Sequence, residues 1–437
     1  MLRSLNRLKH HSTLASSILL VGLITGCSKG SDSSNDLDHD HSHTEIESSG
    51  RLALYNADTT SIDVLNIDDQ QILTSFALNG AAPRLYTSPE GRYAIAIQRS
   101  DNLVSIFDSG LYIEDHGDHL HEYDETPSDT GITLNGIAPT HYSVHEEHGV
   151  IFNDASDGNV SSIALLSDEI LTANSAIQTL ELTNRMHGVA KLINDKVFVT
   201  YRDLSVTDTT LPEQVERYSF DGNDFTLDTR YTEQCPALHG AGTNEDYLVF
   251  GCGDGVLSID IQDANYPAVH SDNPASFTDG ARIGSVYGHH EVTELIGTVG
   301  AHGSNTRHLY FITPTAAEVI TAFDLPNDDE AITQGFTPSG DTFYVLAQDG
   351  VMHFFNTTDW SLADSIQAIE VAQLSLDSGE APLVITSKAT DTLYVLNPNA
   401  QEIYILDAEH AELVETIELD FTATSIAWLG LVEEHDH

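Results

Sequence analysis

Histidine is the residue type in this chain that most clearly indicates chemistry. The 437 residues include 22 His, and many of these stand beside Asp or Glu. Imidazole nitrogen and carboxylate oxygen are ligands that Zn²⁺ takes readily. The chain has only 3 Met and 3 Cys, which argues against a Cu(I) carrier, because soft ions prefer sulfur ligands. The composition therefore favours zinc as the cofactor.

Two groups of histidines are close together in the sequence itself. His39, His41 and His43 alternate with acidic and polar residues, a composition typical of flexible metal-binding tracts, and we predict an auxiliary metal site there. The segment 114–122 contains three His and four carboxylates. We predict metal ligands at His116, His119 and His121, either as a site of their own or completing a site on the folded body. The alternatives are a solvated linker and a polar surface loop.

A third group recurs at a regular place in a repeated pattern. His187, His239 and His302 are each followed by Gly and precede a pair of short β-type runs, and His141 stands at the equivalent place. Glycine after histidine permits close backbone approach. A single histidine of this kind is more often structural, but four in register indicate a functional site.

The elements that position these histidines are short strands. From residue 51 onward, β-rich runs alternate with Gly, Asn, Asp and Pro turns, and the unit recurs roughly every 45–60 residues, a period expected of propeller blades. We predict an all-β fold, a β-propeller over 51–431, with seven blades favoured and eight as the alternative. The first strand at Arg51 and the last at 422–428 are expected to close the ring in one blade. An open β-solenoid fits the long, hairpin-like repeats less well.

In a propeller, the recurring histidines come together. Their place is the start of the innermost strand, which faces the axial channel. We therefore predict that His141, His187, His239 and His302 lie near one mouth of this channel and bind metal.

The N-terminus is predicted to be a secretion and targeting signal. Residues 1–26 have the basic start, short apolar run and small residues of a secretory signal, and the Ile-Thr-Gly-Cys sequence resembles a bacterial lipobox. This resemblance implies cleavage before Cys27 and its lipidation, and Ser28 after it favours the outer membrane, facing the periplasm. Residues 27–50 are predicted to be a disordered tether rich in His and Asp, and 432–437 an acidic tail containing His.

Charge and cysteine content narrow the possible classes of protein. A net charge of −51 excludes a nucleic-acid binder, since a polyanion would be repelled. Much of this acidity fits adaptation to a salty habitat. Cys235 and Cys252 are predicted to form a disulfide in an oxidising periplasm. With no CxxC motif, these two cysteines alone do not predict a zinc site.

Several motifs together resemble a known family. They are Cys-Pro-Ala-Leu-His-Gly at 235–240, Phe-Gly-Cys-Gly-Asp-Gly-Val-Leu at 250–257, the insertion at 115–119, Met-His-Gly-Val-Ala at 186–190 and the His-rich N-terminus. In these the chain resembles the periplasmic zinc chaperones of the AztD type. The resemblance implies a β-propeller that binds zinc and hands it to the solute-binding protein of a zinc ABC transporter. It implies metal contacts in the 116–121 loop and at the propeller-face histidines, with the N-terminal tract as an auxiliary site. The lipobox is a departure, because those chaperones are soluble.

We therefore expect a monomeric, lipid-anchored zinc metallochaperone and not an enzyme. One alternative is a lipid-anchored propeller that serves as an interaction scaffold. Another is a propeller enzyme, such as a metal-dependent lactonase or a quinoprotein dehydrogenase. A lactonase would place Glu, Asp and Asn around its ion, whereas the predicted axial positions carry His. The sequence also has no GxSxG nucleophile motif.

Overall fold

The computed structural model describes residues 46–81, 84–115, 120–278, 280–301, 303–376 and 380–432. Several predicted features lie outside these residues and stay predictions. They are the signal peptide 1–26, the lipidation site Cys27, most of the tether with His39, His41 and His43, and most of the 432–437 tail. No helix among the described residues is long and apolar enough to cross a bilayer.

The strands are short and follow one another with few helical interruptions. In the first half of the chain they are β1 (Arg51–Asn56), β2 (Ser61–Asn66), β3 (Ile72–Ala77), β4 (Arg84–Thr87), β5 (Tyr93–Gln98), β6 (Leu103–Asp108), β7 (Leu111–Asp115), β8 (Leu120–Asp124), β9 (Ser128–Leu134), β10 (Pro139–His145), β11 (His148–Asn153), β12 (Ser162–Leu166), β13 (Thr179–Glu181), β14 (Ala190–Ile193), β15 (Lys196–Tyr201), β16 (Gln214–Phe220) and β17 (Phe225–Arg230).

The second half continues in the same manner. Its strands are β18 (His239–Thr243), β19 (Tyr247–Gly251), β20 (Gly255–Asp260), β21 (Ala268–Asp272), β22 (Ser285–Tyr287), β23 (Leu295–Val299), β24 (His308–Ile312), β25 (Ile320–Phe323), β26 (Ala331–Phe336), β27 (Thr342–Ala347), β28 (Val351–Asn356), β29 (Leu362–Gln367), β30 (Leu383–Thr386), β31 (Thr392–Asn397), β32 (Glu402–Asp407), β33 (Glu412–Glu418) and β34 (Ala423–Leu429). The helical segments are α1 (Asp168–Thr172) and the 3₁₀ turns Arg99–Asp101, Pro326–Asp328 and Val371–Gln373.

These strands form eight antiparallel sheets of four strands, which are the blades of a β-propeller, and β7 and β8 form a separate hairpin. The predicted fold class is confirmed, with the larger of the two predicted blade numbers. One of the eight blades, formed by β22 to β25, departs from the regular pattern. Its innermost strand has only three residues, and Gly297 interrupts the β-branched run of its second strand, so its pattern is weak in the sequence.

One blade contains both ends of the propeller. Strand β34 pairs with β1, with Leu52 opposite Trp428 and Leu54 opposite Ile426, so the sheet order is β3-β2-β1-β34. The predicted ring closure is confirmed. Closure pairs the innermost C-terminal strand with the N-terminal strands, which removes two free sheet edges.

The core lies between neighbouring blades. Strands β1, β5 and β23 are buried along their whole length, because both faces of each sheet are covered by the adjacent blades. Outermost strands such as β29 and β33 are mostly exposed. The apolar runs seen in the sequence are therefore the middle strands, and the polar runs form the rim.

A disulfide joins Cys235, in the loop before β18, to Cys252, in the turn between β19 and β20. Both residues are fully buried in the core between two blades. The predicted pairing is confirmed.

We predict that replacing both cysteines by Ala lowers the free energy of unfolding by about 3 kcal/mol, the loop-entropy value for a closed loop of this length. The two residues are 17 positions apart. Denaturant unfolding of the oxidised protein and the variant measures the loss. A reductant should bring the native protein to the variant's stability and leave the variant unchanged. Equal stability of the two oxidised proteins would contradict the prediction.

Candidate metal centre

Three of the four recurring histidines meet at one mouth of the axial channel. His141 lies on β10, His187 precedes β14 and His239 begins β18, so three consecutive blades each contribute one ring. The Nε2 atom of His187 lies 3.3 Å from Nε2 of His141 and 3.1 Å from Nε2 of His239. We call these three residues the histidine triad. The sequence prediction that they converge is confirmed.

The hydrogen bonds made by Nδ1 of His187 and of His239 determine where a neutral ring carries its proton. His187 Nδ1 lies 2.7 Å from a carboxylate oxygen of Asp154, and His239 Nδ1 lies 2.7 Å from the carbonyl oxygen of Gly284. Both oxygens accept, so each Nδ1 donates. In the tautomer with its proton on Nδ1, each ring has a lone pair on Nε2 that faces the other ring. A cation between the two rings can accept both lone pairs.

The spacing of the triad suits tetrahedral zinc. With zinc–nitrogen bonds of 2.0–2.1 Å, two nitrogens on a tetrahedron are about 3.3 Å apart. The two measured nitrogen–nitrogen distances, 3.3 and 3.1 Å, match this edge. The ligand atoms of all three residues lie within 4.8 Å of one another. Three protein ligands leave the fourth position open to water or to an incoming ligand.

Burial keeps His141 and His239 in the form that binds metal. Burial, with the neighbouring rings of His187 and His239, lowers the pKa of His141 to about 3. Burial also lowers the pKa of His239, although its hydrogen bond to Gly284 opposes the shift. Both rings are therefore neutral near pH 7, and a metal ion does not have to displace a proton from either of them.

Asp154 is the residue of this site that the sequence analysis missed. It follows β11 directly, and its carboxylate accepts a hydrogen bond from His187 and forms an ion pair at 2.9 Å with the guanidinium of Arg99. Burial opposes ionisation of this carboxylate, but the bonds from His187 and the charge of Arg99 outweigh it and hold the pKa of Asp154 below its ordinary value. An ionised partner orients the His187 ring and raises its basicity as a ligand. The available sequence signal for Asp154 was its position as a polar residue directly after the second strand of a blade.

The glycines that follow the histidines are required by packing. A Cβ atom on Gly188 would lie 2.1 Å from the hydroxyl of Thr200 and 2.7 Å from the ring of Phe152. Gly240 has a φ of +68°, and its Cβ would lie 2.6 Å from the carbonyl oxygen of Gly284. Glycine therefore allows neighbouring blades to approach closely enough for the rings to meet.

His302 does not have the place that the sequence predicted. The residue itself lies outside the described part of the chain, but it falls between β23 and β24, the second and third strands of its blade. The innermost strand of that blade is β22, and the residue before its glycine is Ile283, which is fully buried. The Ala-His-Gly motif therefore resembles the other His-Gly motifs in sequence, but it does not precede the innermost strand of its blade. Metal binding by His302 stays a prediction.

The histidine-rich insertion lies on the other face of the propeller. It follows β6, the third strand of its blade, as the hairpin β7–β8. The opposite end of β6 follows Arg99, which contacts Asp154 beside the triad. The prediction that this insertion completes the propeller-face site is therefore wrong, because a strand separates the two.

Of the predicted ligands in this insertion, only His121 is described. Its ring packs edge-on against Tyr123 with ring centres 4.5 Å apart. His116 and His119 lie outside the described residues, so a metal site within the loop itself stays a prediction.

A cavity of about 180 Å³ lies against His141 and is lined by the buried side chain of Lys191. The ammonium group of Lys191 donates to the carbonyl of Val144 at 3.3 Å. Burial lowers the pKa of Lys191 to about 8, so this side chain stays mostly charged at pH 7. A divalent cation in the cavity would meet a like charge, which favours approach to the triad from the open face.

Comparisons with known proteins agree with this architecture. The solved structure of apo AztD from Citrobacter koseri superposes with a TM-score of 0.69 at 21% identity, covering 88% of this chain and 99% of that one. The chain has an AztD-type β-propeller fold. A curated protein of Citrobacter koseri named zinc chaperone AztD is 24% identical over 397 residues, which is 89% of each sequence. No protein-family profile matches the chain.

A second solved structure is similar at lower identity. The dihydro-heme d1 dehydrogenase NirN superposes on the AztD-type propeller with a TM-score of 0.55 at 10% identity, covering 88% of this chain and 76% of that one. This likeness concerns the fold alone. The name of the curated relative describes a chaperone, in agreement with the expectation that this protein is not an enzyme.

We predict that Asp154→Asn weakens zinc binding about 10- to 100-fold, the usual cost of removing a carboxylate behind a metal-bound imidazole. The amide group no longer enforces a proton on His187 Nδ1. Competition titration against a zinc chelator measures the affinity. Asp157→Asn is the matched control, because Asp157 is in the same loop, is 95% exposed and pairs with Arg185. Equal affinities of the two variants would contradict the role of Asp154.

Proposed function

We propose that this protein is a periplasmic zinc metallochaperone that binds Zn²⁺ at the histidine triad and hands it to the solute-binding protein of a zinc ABC transporter. The observation that carries the proposal is the convergence of three imidazole nitrogens, two pairs of which have the spacing of ligands on tetrahedral zinc. The name of the curated relative, a zinc chaperone, supports the same function. Zinc is here the cargo and not a catalytic cofactor.

The geometry of the triad suits transfer. All three histidines are partly exposed, and the His187 side chain retains 29% of its exposure. A ligand from the recipient can therefore occupy the open fourth position before any protein ligand leaves. Zinc can then pass through states in which both proteins hold it, and no step requires a free ion. The strongly negative charge of the chain helps to gather cations near the surface.

We further propose that histidines outside the triad serve as auxiliary zinc ligands. His116, His119 and His121 in the hairpin and His39, His41 and His43 in the tether carry the right donors for this. Where the described chain begins, the amide of Ile46 donates to Glu122 of the hairpin at 2.5 Å. We also propose an anchor at Cys27 in the outer membrane and a monomeric protein.

The proposal predicts that the mature chain loses one tightly bound zinc when His141, His187 and His239 are all replaced by Ala. Replacement of His116, His119 and His121, or of His39, His41 and His43, should remove only weaker binding. Zinc titration with a chelating dye measures the number of sites and their affinities. A variant with His308 and His410 replaced serves as the control. Retention of the tight site in the triad variant would refute the assignment.

Transfer makes a second prediction, which separates delivery from buffering. The zinc-loaded protein is mixed with a metal-free solute-binding protein while an excess of chelator traps any free ion. Direct transfer through the open position should load the recipient despite the chelator. If the recipient stays empty and the chelator takes the zinc, the protein stores zinc and does not deliver it.

A further inference from the structure

A second set of metal-ligating side chains lies in the blade formed by β18 to β21. The ligand atoms of Cys252, Asp254 and His270 lie within 4.8 Å of one another. Cys252 is bonded to Cys235, which brings a second sulfur next to this group. These four residues share no ligand with the histidine triad. We call them the cysteine cluster.

The histidine of this cluster is held between two carboxylates. His270 lies on β21 opposite Leu257, and its Nε2 is 3.0 Å from an oxygen of Asp254. Its Nδ1 is 3.6 Å from an oxygen of Asp272. One nitrogen thus faces the cluster while the other has a carboxylate behind it, the arrangement that supports a metal-bound imidazole.

Backbone contacts hold the two cysteine segments together independently of the disulfide. The Gly253 amide donates to the carbonyl of Pro236 at 2.5 Å, and the amide of Cys252 donates to the carbonyl of Gly255 at 2.9 Å, closing the turn that carries Asp254. The Cα atoms of the two cysteines are 4.9 Å apart. On tetrahedral zinc with Zn–S bonds of 2.3 Å, two sulfurs are about 3.8 Å apart. Once the bond is broken, the two side chains have to rotate to bring their sulfurs to this separation.

We propose that reduction of the disulfide creates a zinc site formed by Cys235, Cys252, Asp254 and His270. Two thiolates, one imidazole and one carboxylate form a closed tetrahedral set, which is typical of tightly held zinc. In the oxidised protein the sulfurs carry no charge and are not ligands, so the site exists only in the reduced state. The cluster therefore responds to the redox state of the compartment as well as to zinc.

The chemistry balances with a dithiol as reductant. The dithiol gives two electrons to the Cys235–Cys252 bond, which breaks, and closes its own disulfide while its two protons pass to the protein sulfurs. Zinc then replaces these two protons, which go to water. A disulfide oxidant reverses both steps and expels the metal, because the sulfurs become bonded to each other again.

Cobalt substitution distinguishes this site from the triad, because only thiolate ligands give an intense near-ultraviolet sulfur-to-cobalt charge-transfer band. The mature chain is produced in a reducing cytoplasm and kept under inert gas, and thiol titration and circular dichroism verify free thiols and a native fold. We expect the reduced protein to bind one more Co²⁺ than the oxidised protein and to show this band. Reoxidation should abolish the band and release the extra metal.

Variants in the reduced state test the remaining ligands while both thiols are present. His270→Ala should weaken the sulfur-linked site at least about tenfold. His410→Ala is the matched control, because His410 pairs in the same way with an acidic residue, Asp407, on the surface. A reduced, native protein without the charge-transfer band would overturn the proposal. So would an equal affinity of the His270 and His410 variants, since the metal would then be held by the thiols alone.

Discussion

Ring closure is the constraint on which the metal centre depends. The histidines of the triad are 46 and 52 positions apart in sequence, and no local turn brings them together. Their separation is determined by the rotation from one blade to the next. The pairing of β34 with β1 closes the ring in which the blades are held at that rotation. The spacing of the triad therefore depends on the packing of whole blades.

The hydrogen-bond partner of Nδ1 orients each of the His187 and His239 rings. Asp154 and the Gly284 carbonyl accept hydrogen bonds from Nδ1 of His187 and His239, and burial lowers the pKa of His239. The Nε2 atoms of the two rings are thereby directed toward each other before any metal binds. Rings that are already oriented lose less freedom when they become ligands.

Much of this organisation could be predicted from the sequence. The alternation of apolar runs and turns indicated a propeller, the terminal runs indicated ring closure, and the His-Gly motifs at 187 and 239 marked the mouth. Asp154 could not be predicted, because its role depends on which neighbouring blade its loop reaches. His302 was misplaced because a local motif does not reveal its strand position in a blade. The face on which the insertion at 109–127 emerges depends on strand direction, which a count of repeats does not give.

The strand topology also determines the face of the propeller at which the chain enters β1. The chain enters β1 beside the hairpin, where the buried guanidinium of Arg51 bonds Asp124 at 2.5 Å and the Glu125 carbonyl at 2.7 Å. That face is opposite the triad. An attachment on that side of the propeller leaves the mouth with the histidine triad uncovered.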